Sequence, residues 1–563
     1  MPGLLSKDRV IAPPGFNRWR VPPASIAIHL CIGSVYAWSI FNPPLMKLQG
    51  VVAAAADDWS LSQVTWIFTV AIVCLGLSAA VAGKWLERVG PRLVGVVSAC
   101  CWGGGFLVGG VGILTHQLWL LYLGYGVIGG IGLGLGYVSP VSTLIKWFPD
   151  RRGMATGLAI MGFGGGAIIG APLKEALMKA YYQPPRYLGT AEEVSLTTEA
   201  GRRFAAVDGQ PREVVVVGKN EIGQMLVKGP AGVYVVGTGR IGIAETFFTL
   251  GIGYFVVMLI AAFSYRLPAV GWKPAGWSPP ADTTVKSMIT RHDVNADQAI
   301  KTPQFYLLWI VLCFNVTAGI GVLGVAKTMI GDIFGTTLPL IVTSSFAATY
   351  VLMTSVFNMI GRFAWSTASD YLGRQRVYAC FFALGALLYA SIPYIATQQS
   401  QHPGIVWLVA FYVVTMLIFT MYGGGFAAIP AYLSDLFGTR FVGGIHGRLL
   451  TAWSTAGVLG PVAITHLRDR SLRAALVDLA GKVDPATFEK TFGAPISQLA
   501  MLIEKKTITL PKLMALAPPG TLDPSSTLYS STMLAMAGLL VIAFIANALI
   551  RPVDSAHHHS DEP

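Results

Sequence analysis

Twelve predominantly apolar runs divide this chain, at residues 22–47, 62–86, 92–114, 118–145, 153–178, 242–265, 304–330, 338–368, 376–397, 404–432, 443–466 and 528–550. A helix needs about 20 such residues to cross the hydrocarbon core of a bilayer. Inside lipid every backbone polar group must be satisfied within the protein, so long apolar runs become helices. The expected class is therefore an all-α polytopic membrane protein with 12 transmembrane helices. Composition agrees: 53% of residues are hydrophobic and 12% charged, where soluble domains carry about 25% charge.

The formal net charge is +12. Its distribution suits a membrane protein rather than a nucleic-acid binder, because no basic run is interleaved with exposed aromatics. Lys7, Arg9, Arg18 and Arg20 precede the first run, and Lys84, Arg88 and Arg92 follow the second. Lys146, Arg151 and Arg152 follow the fourth, and Arg374, Arg376 and Arg440 lie after the eighth and tenth. The short alternate loops at 115–117, 331–337 and 397–404 hold no Lys or Arg. By the positive-inside rule both termini are cytoplasmic, in a plasma membrane such as the bacterial inner membrane. The six cysteines all sit inside apolar runs, with no disulfide framework or metal spacing, and no cofactor or metal is expected.

The chain divides into a cytoplasmic segment (1–21), a first six-helix bundle (22–266), a Pro- and Trp-rich cytoplasmic linker (267–303), a second six-helix bundle (304–551) and a cytoplasmic tail (552–563). The bundles echo one another. KWFPDRRGMATGLAIMGFGGGAIIGAP at 146–172 aligns without a gap on DLFGTRFVGGIHGRLLTAWSTAGVLGP at 435–461, and GKWLERVGPR echoes WSTASDYLGRQR. Two parallel repeats packed about a central site is a transporter arrangement. Two polar insertions, 179–240 and 468–527, fall on the extracytoplasmic side. The first, with REVVVVGKN and GVYVVGTGR, reads as a small β-hairpin. The second is helical, with Asp484 as a helix cap and Pro485 in the first position.

Arg362 stands inside the eighth run. A cation within a membrane segment costs about 2.5–3.5 kcal/mol on insertion scales. One reading is a two-pronged hydrogen bond to a carboxylate; the other is snorkelling to the interface or pairing with a structural acid. Asn358 lies one turn earlier on the same face.

VYAWSIFNPPL (35–45), KWFPDRRGMATGLA (146–159), RLPAVGWKPAGWSPP (266–280), FGTRFVGGIHGRLLTAWSTAGVLGP (437–461) and GLLVIAFIANALIRPV (538–553) together resemble the oxalate/formate antiporter family of the major facilitator superfamily, which is related to the monocarboxylate transporters. The resemblance implies the major facilitator fold and secondary transport of small organic anions, with the span-eight arginine, here Arg362, meeting the substrate carboxylate. It does not imply an enzyme. In the monocarboxylate carriers an aspartate tied to proton movement usually sits where this chain has Asn358, and asparagine carries no such proton. The oxalate/formate exchanger has a lysine in span eleven; here the position falls near Trp453 or Ser454. With one cation at the site, a monocarboxylate (lactate, pyruvate, formate, glyoxylate) is expected over oxalate, with oxalate/formate exchange as the alternative and a transporter-like sensor as a remote one. Proton or counter-anion coupling is open.

Tyr137 and Tyr422 lie in glycine-rich stretches near mid-span, where interfacial belts do not form, and are candidate cavity walls with Tyr36 and Trp453. His446 is either a second cavity donor or a proton carrier, since histidine side chains titrate near neutral pH, or an interface residue with a backbone partner. Alternating access is expected, with Glu87 and Arg88 or Arg92, and Asp370 with Arg374, as charges that latch the cytoplasmic face.

Overall fold

A computed structural model of the chain describes residues 4–148, 152–269, 272–274, 288, 290, 292–438 and 441–557. Linker residues 270–271, 275–287, 289 and 291, the end of the tail and two repeat arginines, Arg151 and Arg440, lie outside the described residues. In the first half, α1 (Pro22–Gly33) runs into a 3-10 stretch, Ser34–Ile40, and is followed by α2 (Leu61–Val89) and α3 (Pro91–Leu114). Then come α4 (Gly130–Trp147), entered through a π-helical stretch at Tyr122–Gly129, α5 (Arg152–Ala180) and α6 (Ile243–Ser264). The second half holds α7 (Pro303–Phe334), α8 (Ser344–Leu372), α9 (Arg374–Gln401), α10 (Ile405–Phe437), α11 (Thr451–Ala480) and α12 (Ser530–Ala548).

Local chemistry sets the helix ends. Ser60 caps α2 in a reciprocal capping box with Gln63, and the Thr302 and Thr343 hydroxyls cap α7 and α8. Gly90 and Gly373 close α2 and α8 at φ of +86° and +88°, a conformation that a Cβ resists. They occupy matching points in the two echoing loop sequences, so the sequence repeat is a structural one.

Nine of the described helices are long and apolar enough to cross a membrane. The long helices outside that set are α5, α8 and α11. They carry Lys174 and Glu175, Arg362, and Arg468 respectively, all buried within the protein; α5 packs on α8 and α11 on α2, across the boundary between the halves. Because α2 corresponds to α8 and α5 to α11 in the repeat, these two crossings are images of each other.

The first insertion exceeds the expected hairpin. Strands β1 (Tyr187–Gly189), β2 (Leu196–Glu199), β3 (Arg202–Val207), β4 (Gln210–Val217) and β5 (Gly232–Val235) form one antiparallel sheet in the order β1-β5-β4-β3-β2. The expected pair is there, with Val214 opposite Val235 and Val216 opposite Val233. LTTE and RRFAAV, the other paired strands, are short and mostly polar or small, without the long Val-rich run that marks β4. In the second insertion Asp484 accepts from the Thr487 N–H at 2.9 Å, starting the helix Pro485–Phe492. α11 continues to Ala480, past the apolar run that ended at 466, since THLRDRSLRAALVDLA is charged but strongly helix-forming.

The two insertions pack together. Thr198 donates to the Phe492 carbonyl at 2.9 Å, Arg203 Nη2 to the Thr491 carbonyl at 2.7 Å, and Thr509 to Glu221 Oε1 at 2.9 Å. One insertion belongs to each half, so these bonds tie the halves together at one end, called here the insertion face. Burial pulls the Arg203 guanidinium down to about 10 and also lowers Lys512, against the pull of Glu221.

Candidate functional site

Arg362 lies at the crossing of α8 and α5, and it is 2% exposed. One turn back, Asn358 Oδ1 accepts from its Nε at 3.0 Å. Nη1 donates to the Ile160 carbonyl of α5 at 3.3 Å, and the guanidinium carbon lies 5.4 Å from the centroid of the Phe426 ring. A Cβ on Gly164 would stand 2.7 Å from Arg362 Nε, so glycine there lets the α5 backbone reach the cation. Nη2 is buried and has no hydrogen-bond partner.

Aromatic rings from both halves enclose this cation. Phe426 packs on Trp453 at 4.7 Å and on Tyr422 at 5.5 Å. Phe163 contacts Tyr36 at 5.0 Å, Tyr137 at 5.6 Å and Trp453 at 5.8 Å, and Tyr137 meets Trp453 at 5.6 Å. The Tyr36 and Tyr422 hydroxyls are 3.1 Å apart. Asn358 Nδ2 and Trp453 Nε1, like Arg362 Nη2, are buried donors without an acceptor. The cage thus presents donors and one positive charge and, among the described residues, no carboxylate.

The structure brings Arg362, Asn358, Tyr36, Tyr137, Tyr422 and Trp453 into this one cluster. His446 stands apart on a short helix, Val442–Leu449, which breaks at Leu450 before α11 begins. It is half-buried, and among the described contacts none joins it to Arg362. Of the proposed latch charges, Arg92 donates to the Leu4 and Phe263 carbonyls at 2.9 and 3.4 Å. Arg374 pairs with Asp435 at 3.4 Å. Both ties stay within one half. Arg88 is exposed, and the side chains of Glu87 and Asp370 lie outside the described residues.

Sequence reasoning missed Phe163 and Phe426, which carry no polar signal, and a set of buried charges nearer the insertion face. Lys174 Nζ donates to the Ser34 and Ala37 carbonyls at 2.8 and 3.3 Å, over the Phe41 ring. It thereby satisfies carbonyls that the 3-10 break in the first span leaves open. Glu175 pairs with Lys327 of α7 at 3.3 Å and with Lys179 at 2.7 Å, and accepts from Ser345 of α8 at 2.9 Å. Lys174, Glu175 and Lys327 each carry the signal that marks Arg362, an ionisable group within an apolar run.

Residues 25–188 match the family model described as Major Facilitator Superfamily. The chain is 23% identical to an oxalate:formate antiporter of Oxalobacter formigenes, covering 79% of this chain and 83% of that protein. It is also 23% identical to apicoplast pyruvate carrier 1 of Toxoplasma gondii, over 75% and 78% of the two chains. The inward-facing, unoccupied structure of a bacterial homologue of the human lysosomal transporter Spinster superposes with a TM-score of 0.59 at 15% identity, covering 97% of this chain and 99% of that one.

Proposed function

A membrane transporter of the major facilitator fold, similar over most of its length to carriers of small carboxylates, is the premise on which we propose that this chain moves monocarboxylates such as lactate, pyruvate or formate by alternating access, with Arg362 binding the carboxylate. One observation carries the reading. Arg362 Nη2, Asn358 Nδ2 and Trp453 Nε1 are buried donors that lack acceptors in a cage between the two halves. A buried unsatisfied donor costs about 1–3 kcal/mol. A carboxylate supplies the acceptors together with the charge that the guanidinium lacks, in the two-pronged geometry arginine favours.

Charge counting selects the substrate class. One guanidinium balances one carboxylate, and a second anion in the same cage would stand unpaired at a cost of several kcal/mol. A second reading, oxalate exchanged for formate, draws support from the likeness to the oxalate:formate antiporter. Asn358 carries no titratable proton, so proton symport requires a group elsewhere, and counter-anion exchange does not. The proposed orientation places the linker face and both termini in the cytoplasm of a bacterial inner membrane. Arg92 and Arg374 then brace the cytoplasmic ends of the two bundles as these rock about the site.

The test is uptake of labelled lactate, formate and oxalate into vesicles, with and without an imposed pH gradient. Lactate or formate uptake without preloaded anion supports the monocarboxylate reading. Oxalate movement that depends on preloaded formate replaces it with exchange.

A further inference from the structure

Between the cage and the insertion face, the boundary between the halves carries charges that the carboxylate site does not use. Glu175 of the first half sits among three partners. Two of them, Lys327 and Ser345, belong to the second half. The third, Lys179, is one turn along Glu175's own helix, so it travels with Glu175 whatever the halves do. Lys327 is placed differently. Its side chain is 3% exposed, and Glu175 is the one carboxylate within ion-pair distance of it among the described residues. Lys47 and Lys179 add to the positive field around it. Lys174, next to Glu175, is held by carbonyls of its own half.

When the halves part at the insertion face, the consequences are therefore unequal. Glu175 keeps Lys179, while Lys327 loses its counter-charge and faces the widening gap as an uncompensated ammonium. A cation in that position attracts an anion strongly, because Lys327 is buried, where screening is weak, and Lys47 and Lys179 add to the positive field. Lys327 lies eight residues along α7 from Gly319, whose backbone packs against the Tyr422 ring. At 1.5 Å per residue that is about 12 Å from the cage wall, too far for one small carboxylate to touch Lys327 and Tyr422 together, but on the way to it.

The geometry points to Lys327 as a second anion-binding residue, which receives the carboxylate entering from the insertion face after Glu175 releases it, ahead of Arg362. This inference rests on the reading of the chain as an anion carrier. It gives the Glu175–Lys327 pair two duties: closing the path when no anion is entering, and uncovering a cation when the path opens.

The experiment compares Lys327→Gln with Glu175→Gln in membrane vesicles of both orientations, with Lys327→Arg and Arg362→Ala alongside. Lys327→Gln should raise the KM for carboxylate offered at the insertion face about tenfold and leave the KM from the linker face within about twofold. Glu175→Gln, which frees Lys327, should leave the insertion-face KM unchanged or lower it. Lys327→Arg should stay near wild type. In wild type, added salt should raise the insertion-face KM more than the linker-face KM, a result that needs no variant to fold. If Lys327→Gln and Glu175→Gln raise the KM together, or if neither changes it, the pair is structural and the inference fails. Wild-type vesicles that carry no carboxylate, or an Arg362→Ala variant that transports normally, overturn the underlying anion reading instead.

Discussion

Tyr36 of the first half and Tyr422 of the second meet hydroxyl to hydroxyl at 3.1 Å, both fully buried. They close one wall of the cage and bridge the two bundles at the level of Arg362. A net hydrogen bond of this kind contributes about 0.5–1.5 kcal/mol. Tyr36→Phe and Tyr422→Phe should therefore each change substrate Kd by less than about tenfold. Each variant breaks the same bond, so the double variant should match either single one. Additive effects in a double-mutant cycle would show that each hydroxyl has its own partner.

Two glycines control the fit of the cage. A Cβ on Gly319 would lie 2.2 Å from Tyr422 Cδ2, and one on Gly164 would lie 2.7 Å from Arg362 Nε. Gly319→Ala and Gly164→Ala should cut transport at least about tenfold while the protein still inserts. Gly253→Ala and Gly538→Ala have open space around the new methyl. They should leave transport unchanged and gain up to about 1 kcal/mol from helix propensity. Equal effects at all four positions, measured as uptake per inserted protein, would contradict this account.

The architecture was legible because bilayer thickness acts on long stretches and leaves a strong pattern. Twelve apolar runs marked the helices, and the echo between 146–172 and 435–461 marked the repeat. Arg362 and Asn358 were legible for a related reason: polarity inside an apolar run is costly and needs a cause. Phe163 and Phe426 were not, since nothing in their type separates a cage wall from lipid-facing packing. Glu175 and Lys327 sit near the ends of their runs, where charges usually mark the membrane interface, and only the fold, with α5 packed on α8, brings their side chains within 3.3 Å. His446 lies seven residues before Trp453, but the break at Leu450 puts the two on different helices.

The insertions should act as a clasp. Arg203 donates to the Thr491 carbonyl at 2.7 Å and lies over Phe492. Removing a charge-assisted hydrogen bond costs about 1.5–3 kcal/mol. Arg203→Ala should lower thermal stability by a few degrees and speed labelling of a cysteine placed at Ser345, which faces Glu175 across the halves. Unchanged labelling would mean that the insertions do not restrain that end.

Acid should loosen the same region slightly. Arg202 holds the Asp57 carboxyl below its ordinary value of 3.8, through bonds of 2.7 and 2.8 Å. The folded protein therefore binds this proton less readily than the unfolded chain. The pair's contribution is complete above pH 3.8 and fades as pH falls through the lower folded value. Asp57 is half exposed, so the loss should stay under about 1 kcal/mol. Asp57→Asn should flatten this part of the stability profile; an identical acid limb in wild type and variant would rule the pair out as its source.

The most direct test of the central claim is the affinity of the purified protein for its carboxylate, measured by titration calorimetry for wild type, Arg362→Lys and Arg362→Ala, with circular dichroism to verify folding. A two-pronged pair with a buried guanidinium is worth about 3 kcal/mol. Arg362→Ala should therefore weaken binding by about a hundredfold or more. Arg362→Lys should fall between, since it keeps the charge and loses the fork. A folded Arg362→Ala protein that binds within about twofold of wild type would mean that the carboxylate sits elsewhere, and the proposed site would be wrong.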